Sequence, residues 1–237
     1  MSKRTDKVCE LINNLSDEEK QIVLDYLRRR LPRHALEEKF GTTAEAILTA
    51  IARSADLTLR GVRGILAEQA FEEYFIPKLK ADGWNTITIQ GNQTYDFVVE
   101  KSARRVTIQV KLQRSEKHIP LEYAPRSRKA LKCPSGRIYV VEVQKTRGGK
   151  KNGEETRPYR FGDFDILAVN MQASSGVWQR FMFTPGSWLI PNKKGLEMIE
   201  TLQPVSECAD EYWTDDLQEC IGWFSSGKQK RLYAIAE

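Results

Sequence analysis

Three residues in the middle of the chain have the types and spacing to act on a phosphodiester. Tyr95, Phe97 and Val99, then Val106, Ile108, Val110 and Leu112, alternate with polar residues, the period-two pattern of a hairpin with one packed face. With a tight turn centred on Ser102 and Ala103, opposed residues sum to 205, so Phe97 faces Ile108 and Val99 faces Val106 on the apolar side. On the other side Glu100 faces Arg105 and Asp96 faces Gln109. Directly opposed residues have Cβ atoms roughly 4.5–5.5 Å apart. Lys111, two residues beyond Gln109, points the same way. A carboxylate, an amide oxygen and an ammonium then share one patch.

That set suits hydrolysis assisted by a cation. Asp96 can hold a hard divalent ion such as Mg²⁺, which takes oxygen ligands, and the Gln109 side-chain oxygen and the Val110 carbonyl can complete the protein's share. A metal so placed polarises a phosphate and lowers the pKa of a bound water. Lys111 can steady that water or the charge of the transition state. Glu68, from a preceding helix, offers a second carboxylate, with Glu72 or Glu73 as substitutes. The same alternation equally describes a plain hairpin whose polar face meets water. A one-residue slip of the register would break the convergence and bury the wrong face.

The elements that must position these residues can be read along the chain. Val8, Leu11, Ile12 and Leu15 recur at helical spacing, and Ser16-Asp17-Glu18-Glu19 is a capping box that opens a second helix, stopped by Pro32. Another helix follows Thr42 or Thr43, and the pair of short helices broken at Gly41 has a helix-turn-helix flavour. A long helix is expected over residues 58–79, ended by Pro77. Strands are expected over 84–90, the hairpin, 136–144, 164–171, 177–183 and 188–190, with a short helix near 125–131. The near-continuous apolar run at 136–144 fits a sheet centre, and Trp178 and Trp188 read as core. The order points to an α/β (α+β) fold with a mixed sheet. The division expected is a helical region, 1–55, and a larger domain, 56–237.

Charge adds a partner class. Net charge is only +5, but residues 101–160 hold 17 Lys/Arg against 5 Asp/Glu, a balance suited to a polyanion. Gln113, Arg114, Arg126, Arg128, Lys129, Lys132, Lys150 and Lys151 are the candidates for contact with such a polyanion, and Lys145 and Arg147 share the glycine-flexed loop of Lys150 and Lys151. Residues 196–220 hold 8 acids and no base. Two histidines and four cysteines, none in a C-x-x-C pair, argue against structural zinc and for reduced thiols. No apolar run approaches the roughly 20 residues of a membrane helix, and no apolar signal core follows the first residues. The expectation is a soluble, cytoplasmic, prokaryotic protein.

Asp96, twelve intervening residues, then Gln109-Val110-Lys111, behind a helix carrying Glu68, resembles the PD-(D/E)xK nuclease superfamily, most closely its type II restriction endonucleases. The resemblance spans residues 58–171 and includes the core order of helix, three strands, helix, strand. There are two departures. No proline precedes Asp96, and Gln109 replaces the usual acid, a Q-x-K variant that some active restriction enzymes of the superfamily carry. The resemblance implies a restriction-endonuclease-like fold, a mixed central sheet flanked by helices. It implies Mg²⁺-dependent hydrolysis of both strands of double-stranded DNA at a short specific sequence, leaving 5′-phosphates. It also implies a homodimer, since two-fold protein symmetry matches a palindrome, with the N-terminal helices as dimer contact or DNA clamp. The rivals are a repair nickase or junction resolvase of the same superfamily, and a catalytically inactive DNA-binding module, which Gln109 favours.

Overall fold

The computed structural model describes residues 2–28, 30, 34–91, 93–123, 136–145, 150–151, 154–193 and 195–232. The chain forms two compact units, Met1–Leu59 and Arg60–Glu237. The first is helical, with α1 (Lys3–Asn13), α2 (Asp17–Arg28), α3 (Ala35–Phe40) and α4 (Ala44–Ala52). The Ser16 hydroxyl accepts from the Glu19 N–H at 3.2 Å while the Glu19 carboxylate accepts from the Ser16 N–H at 2.8 Å, the reciprocal cap that starts α2. Gly41 closes α3 in the left-handed region, φ 61°.

The long helix α5 (Asp56–Tyr74) is followed by α6 (Ile76–Ala81). Here the sequence reading needs correction. Pro77 does not end a helix; the break falls at Phe75, and Pro77 lies in the first turn of α6, where its missing N–H is needed by no carbonyl.

The strands are β1 (Asn85–Thr86), β2 (Phe97–Lys101), β3 (Arg104–Leu112), β4 (Ile138–Glu142), β5 (Ile166–Asn170), β6 (Phe181–Pro185) and β7 (Leu202–Ser206), besides two-residue ribbons and one short partner hairpin strand. Two further helices are α7 (Gln172–Ser175) and α8 (Leu217–Ser225). A five-stranded sheet has the order β1-β2-β3-β5-β6, with β3 and β5 parallel and every other pair antiparallel. This is a mixed α+β architecture. The expected strand over 84–90 contributes only Asn85–Thr86 and one further bond, Ile87 N–H to the Val98 carbonyl. Residues 186–188 form a 3₁₀ turn rather than a strand, though Trp188 is buried. No helix of the described residues is long and apolar enough to cross a membrane.

The run at 136–144 does not take the sheet centre. Its strand β4 pairs antiparallel with β7 in a separate ribbon, Leu202 opposite Glu142 and Ser206 opposite Ile138. Continuous apolarity reports burial on two faces, which the ribbon also provides; it does not report which strand lies alongside. The central place belongs to β3, and its parallel neighbour β5 is the strand whose five residues are all buried.

One face of the sheet carries Val99, Val106, Ile108, Val110, Ile166, Ala168, Phe181 and Phe183 against α5, α6 and α8, which flank it through Phe71, Ile76 and Ile221 among others. The other face carries Leu167, Val169 and Met182 against Tyr139, Val141 and Val205 of the ribbon and against Tyr159 and Trp213. On the polar side of the hairpin, Gln109 is buried while Asp96, Thr107 and Lys111 remain partly exposed.

The hairpin register is the one worked out from the alternation: Phe97 opposes Ile108, Val99 opposes Val106 and Glu100 opposes Arg105. Ser102 and Ala103 both have positive φ, 49° and 64°, the two-residue turn whose twist matches the strands. Neither is a residue at ease there. Ser102→Asn with Ala103→Gly is expected to stabilise the protein by about 1–2 kcal/mol, seen as a higher urea midpoint at unchanged m-value.

Candidate active site

Placement of the site begins with Asp165. Its carboxylate accepts from both the Thr107 N–H and the Thr107 hydroxyl at 2.8 Å, locking the start of β5 to β3. The parallel register that follows sets Gln109 beside Leu167 and Lys111 beside Val169, so these polar side chains enter the second core. Asp96 extends the hairpin by one bond, its N–H donating to the Ile108 carbonyl at 2.9 Å.

Asp96 and Gln109 meet. Asp96 Oδ2 accepts from the Val110 N–H at 2.8 Å and from Gln109 Nε2 at 2.5 Å. The same Nε2 donates to the Val110 carbonyl at 3.1 Å, and Gln109 is only 2% exposed. The polar face does not simply meet water. The orientation also differs from the expected one: toward Asp96 and Val110, Gln109 presents its amide nitrogen, a donor, where a metal ligand must present oxygen. The reason is local: the Asp96 carboxylate and the Val110 carbonyl are both acceptors, and each takes an N–H from the amide. Turning the amide about its last torsion exchanges the two atoms.

Lys111 is half-buried, with its ammonium 5.4 Å from the centre of the Tyr159 ring. Burial pushes its pKa down, while Asp96, Glu68 and Glu142 pull it back up. Burial raises the Asp96 carboxyl, opposed by Lys111 and by the Val110 N–H. Glu68 is pushed up to about 7, by burial first and then by the like charge of Asp96, with Lys111 opposing. Of the three candidate helix acids, Glu68 is the one coupled to Asp96 and Lys111. Glu73 accepts from Gln69 at the exposed side of α5. Glu72 lines, with Asp96, Lys80 and Thr88, a cleft of about 280 Å³.

The oxygen set fits a hard divalent cation in kind: the Asp96 carboxylate and the Val110 carbonyl already converge on one atom, Gln109 Nε2, with Glu68 within electrostatic reach. It is a sparse set, and among the described residues no three His, Cys, Asp or Glu side chains cluster as a metal cage.

The expected DNA contacts fare differently. Gln113 is 1% exposed and its side-chain oxygen accepts from the Ser174 N–H at 3.0 Å, so it belongs to the interior and offers nothing to a duplex. Arg114 is partly engaged, 3.1 Å from the Glu142 carboxylate. Lys145 pairs with Asp163 at 3.1 Å. Arg126, Arg128, Lys129, Lys132 and Arg147, with the expected helix near 125–131, lie outside the described residues. Lys150 and Lys151 form a two-residue strand opposite Glu154–Glu155; their side chains also lie outside what is described.

Tyr159 joins the site only in the folded chain. It is 4% exposed, with the ammonium groups of Lys111 and Lys145 5.4 and 5.3 Å from its ring centre. Burial raises its hydroxyl pKa, and Asp96, Asp163 and Glu68 add to the effect. No local spacing could have revealed it, because β5 and the segment before it bring it in from 48 positions beyond Lys111.

The Glu68 shift sets a pH dependence. A carboxyl raised in the fold favours its protonated form: its contribution to stability is complete below the usual carboxylate range and is lost as pH rises through about 7. A bound cation reverses that preference by holding the carboxylate. If Glu68 helps to hold Mg²⁺, one fixed concentration, ten times the dissociation constant at pH 8, should raise the melting temperature by roughly 3–6 °C at pH 8 and by clearly less at pH 6. Glu68→Gln should remove most of the pH difference. Equal shifts at both pH values in the unaltered protein would contradict the Glu68 assignment.

No protein-family profile matches the sequence, and no curated protein matches it. Among solved structures the chain is similar to a bacterial homing endonuclease, I-Ssp6803I, at 19% identity and a TM-score of 0.39, over 73% of this chain and 96% of that one. At that identity and score the likeness carries no argument about activity.

Proposed function

We propose that the chain is a Mg²⁺-dependent endonuclease of double-stranded DNA, a type II restriction endonuclease of the PD-(D/E)xK kind with Gln109 in the place of the acid. The observation that carries this reading is the buried contact of Asp96, Gln109 and the Val110 carbonyl, with Lys111 and Glu68 in the same electrostatic cluster. Half-burying two carboxylates and an ammonium is costly for a fold that gains nothing from them, and perturbed groups of this sort concentrate at functional sites.

The geometry supports the following roles. Asp96, the Val110 carbonyl and, once turned, the Gln109 oxygen would hold the cation, with Glu68 as a further oxygen donor. A divalent ion held there supplies Lewis acidity toward the scissile phosphate and a water of lowered pKa. Lys111 brings a desolvated positive charge to the negative charge that grows on the phosphate oxygens. The excess of basic residues over 101–160 favours a polyanion in general. A homodimer would present two such sites to two strands.

A second reading, a DNA-binding module without activity, is favoured by one observation: Gln109 donates to the oxygens a metal would use. Sequencing the ends of DNA fragments made with Mg²⁺ separates the possibilities. Ends recurring at one short sequence with 5′-phosphates support the restriction reading. Nicks only, or preference for branched substrates, would move the chain to a repair nickase or resolvase. Intact DNA despite binding would leave the inactive module.

A further inference from the structure

We infer that Tyr159 is the positioning residue for Lys111: the face of its ring holds the ammonium beside the Asp96 and Glu68 carboxylates. The effect on rate rests on the nuclease reading, whereas the contact rests on geometry alone.

Lys111 needs a support that does not cancel its charge. Its side chain is a flexible four-carbon stem, and an ammonium left free samples many positions. Asp96, Glu68 and Glu142 attract it. Among the described residues none of the three forms an ion pair with it, and Glu142 sits 3.1 Å from Arg114 instead. A carboxylate in contact would offset the positive charge that a developing phosphate anion requires. An aromatic face attracts an ammonium while carrying no net charge. The Lys111 ammonium lies 5.4 Å from the centre of the Tyr159 ring, within the roughly 6 Å over which that attraction acts. Lys145 lies over the same ring at 5.3 Å, but Asp163 meets its charge at 3.1 Å.

The ring is fixed as such a support must be. Tyr159 is 4% exposed and packs edge-on against Phe164, with ring centres 5.3 Å apart. Its carbonyl accepts from the Ile199 N–H at 2.8 Å. The residues that follow it tie the segment to the hairpin at two points. The Thr94 hydroxyl donates to the Asp163 carbonyl at 2.6 Å, and the Asp165 carboxylate accepts from the Thr107 N–H at 2.8 Å. Thr94 stands just before Tyr95 and Asp96, and Thr107 lies on β3 with Lys111. Residues 159–165 therefore hold ring, carboxylate and ammonium in one frame.

Isotope labelling of the lysine ε-carbons in the full chain, without DNA or metal, tests the contact by NMR. Lys78, Lys145 and Lys230 also lie over rings, so the Lys111 signal is identified by its loss from Lys111→Met. Shielded by the ring, it is expected upfield of the exposed lysines. It should stay there in Tyr159→Phe and return to the ordinary lysine position in Tyr159→Leu. Single-turnover cleavage with Mg²⁺ tests the consequence. Tyr159→Leu is expected to lose about tenfold in rate, with duplex affinity in Ca²⁺ unchanged, and Tyr159→Phe to recover most of that loss. On a Lys111→Met background Tyr159→Leu should cost little more, because the ring then has no ammonium to hold. A Lys111 signal at the ordinary position in the unaltered chain would overturn the inference whether or not the chain cuts DNA, and this reading needs no variant of Tyr159. Equal losses from Tyr159→Leu with and without Lys111 would overturn it too. A shifted signal in a chain that cuts no DNA would uphold the contact and count against the nuclease reading alone.

Discussion

Asp96→Ala is expected to abolish Mg²⁺-dependent cleavage, with a loss of at least about a thousandfold, equivalent to roughly 4 kcal/mol of transition-state stabilisation. Duplex affinity measured in Ca²⁺ or without metal should change only a few-fold. Asp96 Oδ2 is the atom on which the Val110 N–H and Gln109 Nε2 both close, so it organises the oxygens around the proposed cation site. Without it, Gln109 keeps its bond to the Val110 carbonyl, and the Val110 N–H loses its acceptor. The cost in stability is that of one buried donor left unpaired, about 1–3 kcal/mol. A melting curve in parallel separates this from unfolding, and Asp96→Asn, which keeps an acceptor in place, should lose activity with a smaller effect on the fold.

Lys111→Met should lower single-turnover cleavage by about 10²–10³-fold, the usual loss when one preorganised charge is removed from a transition state. Its signature differs from that of Asp96→Ala in metal binding. The Lys111 ammonium stabilises the Asp96 and Glu68 carboxylates. Replacing it with an apolar side chain of similar length leaves those carboxylates without a counter-charge. Mg²⁺ should then bind at least as tightly as before, and the metal-free protein should be the less stable form. Activity lost with metal binding retained or improved is the expected pattern; full activity would remove Lys111 from the site.

The legible part of this site was the part set by local geometry. A two-residue turn and strict alternation from Tyr95 to Leu112 leave one register, and the observed pairing of Phe97 with Ile108 is that register. What the alternation could not tell was where the polar face goes. That depends on β5, more than fifty residues later, which runs beside Gln109 and Lys111, and on Glu142 of β4, whose charge acts on Lys111. The same limit misplaced β4, whose apolar run specifies burial but not a neighbour. Pro77 misled because proline ends a helix in its interior and begins one in its first turn, and the sequence around Phe75 does not distinguish the two. Charge was legible as an amount and not as a set of contacts. Arg114 and Lys145, expected to contact DNA, have carboxylate partners in Glu142 and Asp163 that only the folded chain brings near.

Gln109 remains the residue on which activity turns, and supercoiled plasmid DNA tests it most directly. The unaltered protein incubated with plasmid and Mg²⁺, beside the same mixture with chelator and the Asp96→Ala variant with Mg²⁺, should convert the plasmid to discrete linear fragments in the first reaction alone. Plasmid bound but uncut by the unaltered protein in Mg²⁺, or cut equally well by Asp96→Ala, would contradict the proposal that the hairpin bearing Asp96, Gln109 and Lys111 is a nuclease site.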